Sequence, residues 1–196
     1  EFEAVVVTTP VTAATELSAM NDAAVVILNT YACRAFFIAA SVGIDAATET
    51  WAQYALAQKA LVLDLAAPRV MCVPLMHGND QGVLAGRLAD ASVSVADSPM
   101  RVATGAVLGL GATPVDSEGV PLQSATRSTL DAARFTVTQT YVGYPGVFFG
   151  DGNMLDSPDS DFKVIEYLRI TDKAARAVRP LLIRRVADRR LNNSAN

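Results

Sequence analysis

The sequence is poor in cysteine and histidine, and it has no long apolar run. Cys33 and Cys72 each stand alone in an apolar stretch, which excludes a disulfide framework and a CxxC site and predicts buried free thiols. The longest apolar runs, such as AAVVIL and FFIAA, are far shorter than the roughly 18 residues that a transmembrane helix needs. We therefore expect no membrane partner, and the first ten residues show no secretion signal.

The chain also lacks an initiator methionine, and we interpret it as a fragment of a longer protein that lacks terminal arms. Of its 196 residues, 51% are hydrophobic and only 18% are charged. This composition excludes disorder, because the chain has enough apolar surface to offset the entropy of folding. The length predicts one domain, residues 1–196, with one well-buried core.

Apolar runs and helical patterns alternate along the first half of the chain. Residues 2–8, 35–41 and 69–75 read as buried strands, and residues 16–32 and 48–65 as helices. We expect Thr12 or Thr15 to cap the first helix, and a threonine at residue 48 followed by acidic residues to begin the second. Strand and helix in alternation predict an α/β fold with a largely parallel sheet and flanking helices.

The second half is richer in loops and ends in a basic helical segment. Residues 124–134 read as a helix, residues 135–149 as one or two strands, and a helix takes over from Phe162. Pro180 predicts a kink, or a helix that ends near Val178 with an extended segment after it. Spacing predicts an apolar stripe on this helix, with Arg169, Lys173, Arg176 and Arg184 opposite; the stripe is Val164, Leu168, Ala175, Val178, Leu182 and Val186.

Charge is divided unequally along the chain. Residues 1–162 hold 7 basic and 17 acidic side chains, whereas residues 163–196 hold 9 and 3, so the two parts carry net charges of −10 and +6. An asymmetry of this size predicts a charged interaction surface. Nucleic acid is disfavoured as the partner, since aromatics are sparse in the basic segment and the acidic remainder repels phosphates. A solvated helix face and a contact between subunits remain as alternatives.

Motifs for catalysis or cofactor binding are incomplete. His77, with Asp80 three residues on, is the single histidine, and neither a GxSxG nucleophile elbow nor a phosphate-binding glycine loop accompanies it. The carboxylates of DSPDSD lack the spacing of a calcium loop, so we interpret Ser160 or Asp161 as a helix cap instead. We predict no cofactor, no metal and no enzyme activity, with an α/β hydrolase-like site around the His77 turn as the alternative.

Five stretches, in this order, resemble the tail sheath proteins of contractile-tailed bacteriophages and prophages. They are VPLMHGNDQGVLAGRLAD, VADSPMRVATG, YPGVFFGDGNML, DFKVIEYLRITDKAARAVR and VADRRLN. The resemblance covers nearly the whole chain. It implies a structural subunit that stacks around a tail tube in the virion, after assembly in the bacterial cytoplasm, and that contracts to drive the tube through the host envelope.

The resemblance also implies partners for the basic segment, namely neighbouring sheath subunits and the tail tube protein. Sheath subunits of this kind use terminal arms that donate strands to neighbours. Because we expect the chain to lack such arms, we expect the isolated chain to be monomeric. The surface expected to face a subunit or the tube comprises Arg169, Lys173, Arg176, Arg179, Arg184, Arg185, Arg189 and Arg190.

Overall fold

The computed structural model describes residues 2–186 apart from residues 91–93, 95, 97, 100 and 101. Within that range five helices and five strands are present, together with a 3-10 turn at Val102–Thr104. In chain order they are β1 (Ala4–Val6), α1 (Ala14–Tyr31), β2 (Phe36–Ser41), α2 (Trp51–Leu61), β3 (Val70–Pro74), α3 (Asp80–Ala89), α4 (Ser124–Ala132), β4 (Thr138–Tyr141), β5 (Tyr144–Phe149) and α5 (Ile165–Ile183).

The first three strands form a parallel sheet in the order β1-β2-β3, as the alternation of strands and helices predicts. Val5 lies opposite Phe37, and Phe37 in turn lies opposite Val70. All of β3 and nearly all of β2 are buried. Strands covered on both faces need apolar residues at every position, which explains why FFIAAS and VMCVP are continuous apolar runs. The predicted α/β fold is confirmed.

Alternate side chains of the sheet enter two apolar layers. On one face Cys72 of β3 packs with Leu17, Trp51 and Leu130, which come from α1, α2 and α4. On the other face Met71 packs in a layer that α3 and α5 complete, with Leu84, Leu88, Ile165 and Leu168 as their contributions. The sheet is therefore the centre of the core, and α5 reaches it from the end of the chain.

Strands β4 and β5 form an antiparallel hairpin, which confirms the prediction of strands between residues 135 and 149. The turn contains Gly143, whose φ of 85° lies in the left-handed region that favours glycine. Two backbone bonds attach this region to the outer side of β3. The Thr136 N–H donates to the Cys72 carbonyl at 2.9 Å, and the Leu155 N–H donates to the Val70 carbonyl at 2.9 Å.

Helix starts depart from the predictions. Helix α2 begins three residues later than expected, after Thr50, which forms a capping box with Gln53, and its first turn holds no acidic residue. Thr48 instead donates to Asp45 at 2.7 Å in the preceding turn. The N-cap of α1 is Ala13 without a side-chain cap, so the expected threonine cap is wrong. The short polar side chain of Thr48, expected to cap α2, is used in the turn before the helix.

Helix α5 also differs from its prediction at both ends. Its N-cap is Val164, with no side-chain cap, and the Ser160 hydroxyl accepts from the Phe162 N–H within the preceding turn. Pro180 lies inside the helix, which continues to Ile183, so an extended segment after Val178 is wrong. The Arg184 N–H donates to the Pro180 carbonyl at 3.2 Å, which continues helical bonding past the proline.

Candidate interaction surface on the last helix

The first half of α5, Ile165–Asp172, is fixed to the domain by buried side chains. Ile165 and Leu168 are 0% and 2% exposed in the layer beside β2 and β3. Burial of two such side chains contributes about 1.5–3 kcal/mol each. The helix therefore has a defined position, and the charged side chains beside these residues are brought against the domain as well.

Asp172 lies in a buried cluster with two arginines from other elements. The Asp172 carboxylate is 2.9 Å from Arg69 Nη1, 3.1 Å from Arg69 Nη2 and 3.2 Å from Arg34 Nη1. Arg69 also donates to the Ala35 carbonyl at 3.0 Å. A buried carboxylate needs such partners because its desolvation is otherwise costly. The cluster joins α5 to the start of β2 and the start of β3.

Arg169 is buried, so its predicted place on an exposed basic face is wrong. Its Nε donates to Glu3 Oε1 at 2.8 Å, and its Nη2 donates to the Leu88 carbonyl at 3.2 Å. It is 6% exposed. Arg169 lies about one helical turn after Ile165, so its side chain points towards the edge of the sheet and the end of α3. There Glu3 supplies the opposite charge. Arg169 is thus an internal link between α5, β1 and α3.

Arg176 and Arg179 contact the end of α1. Arg176 Nη1 donates to the Arg34 carbonyl at 3.1 Å, and Arg179 Nη1 donates to the Ala32 carbonyl at 2.8 Å. Ala32 is the C-cap of α1. Cations are favourable there, because unpaired carbonyls give a helix a partial negative charge at its C-terminus. These two arginines are only partly available to an outside partner.

Beyond Arg176 the helix projects from the domain, and residues 177–186 are all exposed. What we call the second half of α5, residues 173–186, includes the turn that follows Ile183, and its part of the predicted apolar stripe is exposed from Val178 onwards. Val178 and Leu182 are 49% and 62% exposed. Other exposed apolar side chains of the same segment are Leu181, Ile183 and Val186. An exposed apolar group of this kind marks an interaction site.

The cations of the second half remain mostly unpaired. Lys173, Arg184 and Arg185 are exposed. No carboxylate of the described residues lies within ion-pair distance of any of these three side chains. A groove of about 400 Å³ runs between this part of α5 and the end of α1, lined in part by Ala32, Ala175 and Pro180. Arg189 and Arg190, also predicted at this surface, lie outside the described residues.

An acidic segment lies at the opposite end of α5. Residues 150–162 hold four aspartates and no lysine or arginine. The Met154 N–H donates to the Lys163 carbonyl at 3.0 Å, which closes the loop that carries Asp156, Asp159 and Asp161 immediately before the helix. Asp159 and Asp161 are exposed. The acidic loop and the basic projection are therefore separated by the length of the helix.

The His77 turn has the geometry of a structural motif. The ring Nδ1 is 2.7 Å from Asp80 Oδ1, and the His77 N–H donates to Asp80 Oδ2 at 2.7 Å. Asn79 binds the loop above through the Gly109 carbonyl, and a Cβ on Gly111 would lie 2.1 Å from the His77 carbonyl oxygen. No serine or cysteine of the described range hydrogen-bonds to the ring. The His77–Asp80 pair fixes the start of α3, at the point where the backbone of Gly111 packs closely against that of His77.

The described residues form neither a metal cluster nor a membrane-spanning helix. Across the described ranges no group of three or more potential ligands is placed to hold a metal ion, and the carboxylates of DSPDSD are included in that statement. None of the described helices is both long enough and apolar enough to cross a membrane. The exposed, basic second half of α5 is the candidate surface that both the charge distribution and the burial pattern indicate.

Sequence reasoning missed the partners that divide α5 into two halves. Glu3, Arg34 and Arg69 are distant along the chain from Asp172 and Arg169 and carry no motif. One signal was present: Asp172 is one of only three acids beside nine basic residues in residues 163–196, and it lies between Arg169 and Lys173. Its position among these cations was a sign of an internal ion pair.

Comparison with known families places the chain. Residues 1–153 match the N-terminal domain of the DUF2586 family, and residues 161–196 match its C-terminal domain. The chain belongs to the DUF2586 family. The division between the two family domains falls at the acidic segment, and our interpretation of residues 1–196 as one domain stays a prediction.

A relative from Haemophilus phage HP1 (strain HP1c1) is named "Putative tail sheath protein". It is 45% identical over 168 residues, which cover 83% of this chain and 45% of the relative. The chain therefore spans less than half the length of that protein. The predicted resemblance to phage tail sheath proteins is confirmed. No solved structure matches the chain.

Proposed function

We propose that this chain is part of a structural subunit of a contractile phage tail sheath. Membership of the DUF2586 family and the name of the phage HP1 relative support a structural role in a phage tail. In this role the subunit stacks with neighbouring copies around the tail tube in the virion. Contraction of the stacked subunits then drives the tube through the host envelope. The chain acts in assembly and mechanics, and it has no catalytic task.

The observation that carries the proposal is the projecting second half of α5. A monomeric protein gains nothing from five exposed apolar side chains and unpaired arginines on one projecting helix. A subunit of an assembly does, because apolar contacts supply affinity and charges select the partner and its orientation. Neighbouring subunits and the tube protein are the partners that we propose for this helix.

The residues that we propose for this interface are those left accessible by the fold. Lys173, Arg184 and Arg185 are exposed, and Arg176 and Arg179 lie at the rim with part of their hydrogen-bonding capacity used by α1. Arg189 and Arg190 remain in the proposal on the sequence alone. Arg169 is no longer among them, because Glu3 and Leu88 occupy its guanidinium.

A hydrolase-like site around His77 receives no support from the geometry. Acyl transfer by a histidine needs a nucleophile within hydrogen-bond reach of the ring. The Asp80 contact orients the ring, yet among the described residues no serine or cysteine completes the arrangement. The His77→Ala variant is therefore expected to be less stable around this turn. It is not expected to differ from the unaltered chain in any hydrolase assay.

Electron microscopy of the full-length protein tests the sheath proposal. The protein is expressed alone and together with its purified tail tube, and both samples are imaged in negative stain. We expect hollow cylinders, or tubes coated by regularly stacked subunits. Dispersed particles in both samples, from protein shown by circular dichroism to be folded, would contradict the proposal.

A further inference from the structure

We propose that the second half of α5, residues 173–186, docks on the acidic segment 150–162 of a second copy of this chain. This inference rests on the proposed function, since it names the partner of the same helix within the sheath. The structure carries both halves of the contact on one molecule. It also prevents them from meeting within that molecule.

Charge complementarity is the first argument. Residues 173–186 contain five lysine and arginine side chains and no carboxylate, whereas residues 150–162 contain four aspartates and no cation. Asp159 and Asp161 are exposed, as are Lys173, Arg184 and Arg185. Each set complements the helix dipole at its own end of α5, so both persist as exposed charge in the free subunit. Opposite charges of this density attract when two copies approach.

Apolar surface accompanies the charge on both sides. Val178 and Leu182 on the projecting half are 49% and 62% exposed. Beside the acidic segment, Tyr167 and Ile170 lie on the outer face of the first half of α5 and are 54% and 44% exposed. A contact that joins charged groups with exposed aliphatic and aromatic side chains has the composition of a protein interface.

Distance excludes the same contact within one subunit. Helix α5 has 19 residues, and at 1.5 Å per residue it separates its two ends by about 28 Å. The acidic loop is closed immediately before the helix by the Met154 to Lys163 bond, so it cannot fold back over that length. The basic end of one copy can reach only the acidic end of another.

The geometry of such a contact fits a stacked assembly. The two surfaces are different, so the contact is head-to-tail rather than two-fold symmetric. Head-to-tail contacts repeat from copy to copy and generate rings or open helical rows. Repeated use of this one contact therefore links subunits end to end, with the α5 helix of each copy joined to the acidic segment of the next.

Charge reversal on each side, and on both together, tests the pairing. The variants are R184E/R185E, D159K/D161K and the fourfold combination, with D22K/E118K as a control that changes two exposed acids elsewhere. Because the isolated chain is expected to be largely monomeric, its weak self-association is measured by sedimentation velocity at high protein concentration and millimolar salt, where screening is weak. Assembly of the full-length protein is scored in parallel by microscopy, and circular dichroism confirms that each variant is folded.

We expect each paired reversal to weaken self-association at least tenfold, and the fourfold variant to recover to within about threefold of the unaltered chain. The control should associate normally. Unchanged association in both single-sided variants, or no recovery in the fourfold variant, would overturn the inference.

The inference would also be overturned if R184E/R185E lost tube binding while D159K/D161K assembled normally. The tube would then be the partner that contacts this helix face. Normal self-association of the short chain without any cylinders from the full-length protein would instead contradict the sheath proposal and leave the contact standing.

Discussion

The two halves of α5 share arginine and leucine but place them in opposite environments. Arg169 and Asp172 in the first half are 6% and 2% exposed and are paired with distant elements, whereas Arg184 and Arg185 in the second half are exposed. Leucines show the same contrast, since Leu168 is 2% exposed and Leu182 is 62% exposed. Position along one helix therefore decides whether a residue type stabilises the fold or remains available to a partner.

The comparison teaches that amphipathic pattern alone does not identify a buried face. Both halves repeat apolar residues at helical spacing, and both alternate them with arginines. The sheet, α3 and the start of β2 provide partners only as far as Arg176. Beyond that point Arg179 still donates to the Ala32 carbonyl, but the apolar side chains from Val178 onwards are exposed. Substitutions in the two halves should therefore have very different effects.

The largest effect is expected from Asp172→Asn. The substitution removes the carboxylate charge that pairs with Arg34 and Arg69, and leaves two guanidinium groups together at a mostly buried site. Loss of one partner of a buried pair costs about 3–5 kcal/mol. Urea unfolding should show a loss of about 3 kcal/mol, while Asp159→Asn on the exposed loop should change little. A loss below about 1 kcal/mol would show that the cluster is well hydrated.

Alanine at the two leucines sharpens the comparison directly. Leu168→Ala creates a cavity in the layer beside β3 and should cost about 3 kcal/mol, within the usual range for buried leucine. Leu182→Ala removes an exposed side chain and should change the free energy of unfolding by less than about 0.5 kcal/mol. Equal losses in thermal or urea unfolding would mean that the second half of α5 packs against the domain in solution.

Asp116 provides a reference carboxylate that is held by backbone donors. Although burial opposes ionisation, N–H groups of Val120, Trp51 and Glu118 donate to its side chain and lower its pKa below the usual 3.8. A carboxyl with a lowered pKa in the folded state stabilises the fold above pH 3.8, and this contribution is lost as the pH falls through the lowered value. Asp116→Asn should therefore be less stable at pH 7.

That deficit should shrink as the pH falls below 3.8, because the unaltered chain then loses the same charge. Urea unfolding at several pH values between 2 and 7 measures the difference. Its persistence at the lowest pH would assign the effect of the substitution to altered packing or hydrogen bonding around the start of α2. The loss at pH 7 should be smaller than that of either buried substitution in α5.

The smallest effect on folding is expected from R184E/R185E. Both side chains are exposed and have no described carboxylate partner, so the free energy of unfolding should change by less than about 0.5 kcal/mol. Arg169→Glu is the matched substitution in the first half, and it should cost about 3 kcal/mol, comparable with Asp172→Asn, because it places a second carboxylate beside Glu3. Thermal melts of the two variants separate the halves most simply.

The sheet and the existence of α5 were predictable because their signals are local. FFIAAS and VMCVP are continuous apolar runs, and such runs need two covered faces. The capping of α2 was predicted two residues too early, since Thr48 and Thr50 are both plausible caps and only the bonding of Asp45 and Gln53 distinguishes them. Local pattern leaves boundaries of this kind open.

The division of α5 was not predictable, because it depends on residues far away in the sequence. Arg169 is internal because it pairs with Glu3. The two residues are 166 positions apart in the sequence, and strand β1 brings Glu3 to the helix. The helix passes Pro180 although the proline removes one backbone donor, and the Arg184 N–H bonds to the Pro180 carbonyl beyond it. Periodicity predicts the apolar stripe, but it does not show that the stripe is buried or half-buried before Val178 and exposed from Val178 onwards.

The sheet also places a chemical reporter at its centre. Cys72 lies in the middle of β3, is fully buried, and burial raises the pKa of its thiol to about 12. The nucleophilic thiolate is thus almost absent in the folded chain, and alkylating reagents cannot reach it until the sheet opens. Cys33, half-buried after the end of α1, reacts without that opening. Labelling of Cys72 is therefore slow and labelling of Cys33 is fast. The ratio of the two labelling rates measures how often the core opens, and it can be compared between the free subunit and an assembled particle.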